Sequence, residues 1–120
     1  MIGETIVGVY DTDDTHDWFC IQTSQGMYEL RLGGIKKATS CSLNQIESFD
    51  VKGLSVKTIW SDDFWVYVIL SDDSVLIHGQ GAINADGDIY FTLNHTSSES
   101  FAEDYGADCF EDDDFFQIIP

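Results

Sequence analysis

The chain is poor in positive charge, in proline and in cysteine, and each shortage excludes something. Five Lys and Arg stand against 22 Asp and Glu in 120 residues, a formal net charge of −17. Nucleic-acid binding needs cationic groups that displace phosphate counterions, and an anionic membrane surface needs the same Lys and Arg, so neither is expected as a partner. One proline, with 43% hydrophobic and 13% aromatic residues, excludes compositional disorder and leaves apolar surface for a core. Cys20, Cys41 and Cys109 are odd in number, widely spaced and without a CxxC pair, which favours reduced thiols over a disulfide framework. Residues 1–10 carry Glu4 and no basic region, unlike a signal peptide, and no apolar run approaches the ~18 residues of a membrane helix. The expectation is one soluble, cytoplasmic domain over residues 1–120.

Signatures of chemistry are scarce as well. Placing Gly87 of Asn84-Ala85-Asp86-Gly87-Asp88 at the sixth position of an EF-hand loop puts Ala82 first and Leu93 twelfth, where carboxylates are required. Asp11-Thr12-Asp13-Asp14 lacks the glycine altogether, and hairpin turns account for both segments. His16, His78 and His95 fall in three separate elements, with no cysteine at zinc-ligand spacing. His16, between Asp14 and Asp17, reads as part of a solvated loop, and His78 is expected to face outward from a strand. Gly33-Gly34-Ile35-Lys36-Lys37 matches neither phosphate-loop pattern and reads as a turn whose lysines blunt a sheet edge. No metal, cofactor or enzymatic activity is expected from these motifs.

What is abundant is period-two alternation rich in Val, Ile, Thr and aromatics, the mark of strands. It predicts strands near Thr5–Tyr10, Trp18–Thr23, Met27–Leu32, Leu54–Trp60, Phe64–Leu70, Ser74–His78 and Asp88–Asn94. Turn chemistry separates them at Ser24-Gln25-Gly26, Ser71-Asp72-Asp73 and Ala85-Asp86-Gly87. Connections this short leave no room for crossover helices, so antiparallel meanders are expected. Two short helices are predicted. One opens at Ser42-Leu43-Asn44-Gln45 and reaches Ser48; the other is capped at Thr96-Ser97-Ser98-Glu99, presents Phe101 and Tyr105 on one face and ends at Gly106. Phe115, Phe116, Ile118 and Ile119 should pin the acidic C-terminal segment 99–120 to the body.

Segments 3–32 and 53–78 also align as an internal repeat. Gly3–Tyr10 matches Gly53–Trp60, Asp-rich turns follow in both, then Trp18-Phe19-Cys20-Ile21 matches Trp65-Val66-Tyr67-Val68. The fold class expected is mainly β: antiparallel meanders forming a curved sheet, either a half-barrel or a small sandwich, with one or two short helices.

Charge is unevenly placed. Residues 1–57 hold all five basic residues and eight acids, whereas residues 58–120 hold fourteen acids and no Lys or Arg. Crowded carboxylates lower the stability of a compact state, and solubility needs a net charge of only about 2–8 in a small domain. An excess of this size favours capture of a basic partner, because complementary fields raise association rates. The partner-binding residues read from the sequence are Asp104, Asp108, Glu111, Asp112, Asp113 and Asp114 in the acidic segment. Asp62 and Asp63 join them, with Phe64 and Trp65 beside them as protruding anchors of the kind that dominate interfaces.

A small, strongly acidic, mostly β chain with Gly–strand–Asp-Asp–Trp–strand units and Asp-rich turns resembles the immunity proteins of bacterial toxin systems, those of contact-dependent growth inhibition (CDI) in particular. The resemblance implies a protein that binds the cognate basic toxin domain of its own system, often a nuclease, and blocks its active site. Two other functions fit the sequence: a DNA-mimic inhibitor of a DNA-binding protein, and a small metal-dependent enzyme whose residues converge only on folding.

Overall fold

The computed structural model describes residues 1–11, 17–32, 34–41, 44–47, 49–83, 85–106 and 108–118. Asp13, Asp14, His16, Gly33, Ser42, Leu43, Ser48, Asn84 and Ile119, singled out above, lie outside them. The first sheet contains β1 (Ile6–Asp11), β2 (Trp18–Thr23), β3 (Gly26–Arg31), β4 (Gly34–Ala38) and β5 (Asn44–Gln45). The second contains β6 (Val56–Ser61), β7 (Trp65–Leu70), β8 (Val75–Ile83), β9 (Ile89–Thr96) and β10 (Phe116–Gln117). Helix α1 (Ser98–Tyr105) and a 3₁₀ turn (Cys109–Glu111) separate β9 from β10. Spatial orders are β4-β3-β2-β1-β5 and β10-β6-β7-β8-β9, with every pairing antiparallel.

Alternation dictates how the sheets meet. Ile6, Val9, Phe19, Ile21 and Leu30 of the first sheet share one core with Val56, Ile59, Val66, Val68, Leu70 and Leu76 of the second. The fold is therefore mainly β, with two antiparallel five-stranded sheets packed face to face, the small sandwich of the two forms expected. Residues of the opposite parity on the second sheet, Tyr67, Val75 and Ile77, form a second apolar layer with Phe101 of α1. That layer explains why β7 reads as almost continuously hydrophobic: it is covered on both faces.

The two halves use the same backbone bonds fifty residues apart. Gly3 N–H donates to Val56 O and Gly53 N–H to Ile6 O; Ile6 N–H donates to Leu54 O and Val56 N–H to Glu4 O. Thr5 bridges Ser55 antiparallel between them. Strands β1 and β6 each break register at the equivalent point, Ile6/Gly8 and Val56/Thr58. On the far side Ile46 N–H donates to Val9 O as Ile118 N–H does to Ile59 O. The halves differ in what joins their edge strands: residues 39–43 in the first, residues 97–115 with α1 in the second.

Several expectations are corrected. The helix at 42–48 is absent among the described residues: Asn44 and Gln45 pair with Asp11 and Tyr10, whose open edge offers backbone partners that one isolated helical turn cannot. Gly34–Ala38 is a strand, not a turn, with Lys36 opposite Glu29. The α1 cap moves from Thr96 to Ser97, because Thr96 is still laddered to Val75; Ser97 Oγ accepts from Ser100 N–H at 3.2 Å. His78 faces inward, not outward, and is 2% exposed. It follows Leu76 by two residues and so continues the inward side of β8.

Candidate functional site

Two acidic stretches far apart in sequence meet on the second sheet. Asp62, Asp63 and Phe64 form the turn between β6 and β7, and Asp114 comes to them from the chain leading into β10. Together they line a shallow pocket of about 270 Å³. The meeting follows from topology: β10 pairs with β6, Phe116 opposite Ser61, which returns the acidic segment to the start of this turn.

The turn is held by Asp62 itself. Its carboxylate accepts the backbone N–H groups of Phe64 at 2.9 Å and Trp65 at 2.7 Å, and the hydroxyl of Tyr67 at 3.2 Å. Asp62 is thus a positioning group, and Asp63 and Asp114 present the exposed carboxylates at this place. Of the two proposed anchors, Phe64 is 55% exposed, whereas Trp65 lies half-buried against Gly79. A Cβ on Gly79 would sit 2.4 Å from the Phe64 carbonyl oxygen and 2.7 Å from the Trp65 ring. Only a glycine lets the turn lie this close to β8, a requirement that no local motif announces.

Tyr67 is the hidden support of the site. Its ring makes edge contacts with Phe101, Tyr105, Phe110 and Phe115, at centroid distances of 6.1, 5.7, 5.5 and 5.6 Å. Burial, followed by the neighbouring Asp62 charge, pushes its hydroxyl pKa well above the ordinary tyrosine value, so it stays a donor to Asp62. One side chain therefore connects the aromatic layer beneath the acidic segment to the acidic turn. The sequence places Tyr67 only as a strand aromatic; its outward parity beneath a segment rich in Phe was the available signal.

The remaining acids spread over the insertion. Asp104 lies on α1, Asp108 immediately precedes the 3₁₀ turn without a side-chain bond to it, Glu111 lies in the turn, and Asp112 and Asp113 follow, all exposed. Asp112 folds the local chain by accepting the N–H of Asp114 at 3.2 Å. A separate apolar groove of about 340 Å³ runs between this insertion and the sheet, past Trp60, Val75, Phe101 and Phe110, with the Lys57–Asp73 ion pair at its lining.

No family model matches the chain, and no curated protein or solved structure does either. Among the described residues no group of three or more His, Cys, Asp and Glu has the geometry to hold a metal ion, and no helix is long and apolar enough to cross a membrane. Cys20, Cys41 and Cys109 are free thiols. Burial, with the Cys41 thiol alongside, raises the pKa of Cys20 far above the ordinary range.

Proposed function

We propose that this chain is a binding protein for a basic macromolecule, and that it neutralises a cognate toxin domain, in the usual case a nuclease, in the manner of a CDI immunity protein. The carrying observation is the convergence of Asp63, Phe64 and Asp114 at one pocket, an exposed aromatic ring bordered by carboxylates. That combination suits a cationic cleft: the ring supplies apolar contact at the centre, and the carboxylates supply charge-assisted hydrogen bonds to Lys and Arg. Asp104, Asp108, Glu111, Asp112 and Asp113 extend the same field over the adjoining insertion and speed encounter. Phosphate-binding side chains engaged this way are closed to substrate. A cytoplasmic place of action, where a delivered toxin is met, fits this role.

The test pairs the chain with the basic C-terminal domain of a secreted protein encoded by the adjacent gene. Co-expression should restore growth, and purified components should associate at a rate that falls steeply with salt. Combining Phe64→Ala with Asp114→Asn should weaken binding by about 2 kcal/mol or more without unfolding the domain. Replacing Asp112, Asp113 and Asp114 by Asn should slow association severalfold and leave dissociation nearly unchanged. Unaltered kinetics in both variants, or the lack of any basic partner that this chain protects against, would refute the assignment.

A further inference from the structure

Edge strands expose unpaired backbone N–H and C=O groups, and natural sheets blunt them. Three of the four edges here are blunted. Strands β5 and β10 are two residues long, and β4 carries Lys36 and Lys37 among its five residues. The fourth, β9, runs for eight residues, Ile-Tyr-Phe-Thr-Leu-Asn-His-Thr, with no Asp, Glu, Lys, Arg or Pro. It is the outermost strand of the second sheet, with β8 on its inner side. Among the described residues, no backbone hydrogen bond reaches Phe91–Thr96 from outside the β8–β9 ladder. An apolar strip accompanies the edge on the sandwich side. Phe91 stacks on His78 at 6.1 Å, and Phe49 lies 6.1 Å from the His95 ring.

We propose that the edge of β9 at Phe91–Thr96 accepts an extended segment of a basic protein as a sixth, antiparallel strand of the second sheet. The inference rests on the basic-partner reading above and specifies a mode of contact that the acidic pocket does not. Charge complementarity selects the occupant. The strand itself is uncharged, Asp86 and Asp88 precede it and Glu99 and Glu103 of α1 follow it, so carboxylates stand at both ends. A second copy of this chain would bring another −17 to the same place and set acid against acid. A segment alternating apolar residues with Lys or Arg matches both features. Its apolar side chains lie toward Phe49 and Phe91, its cationic ones toward solvent and the flanking acids, and its backbone completes the ladder.

The probe is an eight-residue peptide alternating valine and lysine, compared with the same peptide N-methylated at alternate valines, which keeps charge and side chains but removes backbone donors. Hydrogen exchange of the full chain is followed by NMR alongside affinity. The expected result is slowed exchange of alternate amides within Phe91–Thr96 with the unmodified peptide, and affinity about tenfold weaker for the methylated one. Equal binding of both peptides without protection in β9 overturns the edge proposal and leaves the acidic reading standing. Protection of β9 in the free protein accompanied by a dimeric mass, or no binding of either peptide at low salt, also overturns it. Loss of peptide affinity in the Asp112, Asp113, Asp114→Asn variant with β9 protection retained at saturation separates the pocket's contribution from that of the edge.

Discussion

His78 shows how one buried side chain sets the response of the molecule to acid. Its ring sits between Phe19 at 4.9 Å and Phe91, and among the described residues Nε2 has no hydrogen-bond partner; the closest carboxylate oxygen, on Asp11, is 3.9 Å away. Burial lowers its pKa to about 4, against a smaller upward pull from Asp17. Between pH 6.5 and 4 the unfolded chain therefore takes up a proton that the folded one refuses, and stability falls as pH falls through that window. The difference in pKa corresponds to about 3 kcal/mol at most. Urea unfolding at pH 7 and pH 4.5 should show the loss, and His78→Leu should remove most of it; an unchanged slope in the variant would contradict the assignment. A further loss belongs to Glu4 at lower pH. Burial alone would raise its carboxyl, but the Met1 amino group at 2.6 Å and the hydroxyls of Thr23 and Tyr28 hold it at about 2. What Glu4 contributes is present above pH 4.5 and disappears as pH falls toward 2.

Among elements, the β6–β7 turn and the β8 strand beneath it are matched to each other through glycine. Gly79→Ala places its methyl group against the Phe64 carbonyl and the Trp65 ring, so it should cost about 2 kcal/mol or more and shift the Trp65 fluorescence. For Gly81→Ala the nearest atoms are the Thr92 methyl and hydroxyl at 2.5 and 2.8 Å, which rotation about χ1 can move aside, so it should cost clearly less. Equal costs would show that the turn is not seated on Gly79. How far such elements could be read from the sequence depends on where their information lies. Trp18–Thr23 is delimited as expected because its alternation and its Ser24-Gln25 turn are local. Strands β4 and β5 were not legible, since their apolar content is low and they exist by pairing with β3 and β1. Asp62, Asp63 and Phe64 were legible as an acidic turn with an aromatic neighbour. Their meeting with Asp114 was not, because it depends on the β10–β6 pairing of residues more than fifty positions apart.

At the scale of the whole molecule, charge and symmetry work against each other. A net charge of −17 on one small body repels itself, and fourteen of the 22 acids belong to residues 58–120. Raising NaCl from about 0.02 to about 0.5 M should therefore increase Tm by roughly 3–5 °C, measured by calorimetry at pH 7. A melting temperature indifferent to salt would mean that the acids are too well spread to strain the fold. The near-equivalent halves tolerate this imbalance because residues 3–6 and 53–56 stitch the sheets together through main-chain bonds, beside the buried Ile6 and Val56, which substitution at the surface leaves in place. The same seam governs timing during synthesis. The first sheet's inner face has nothing to close against until the mid-fifties have emerged from the ribosome, so a nascent chain passes through a stage with that face open to water. Chaperone demand should peak at that stage and subside once the second meanders over it.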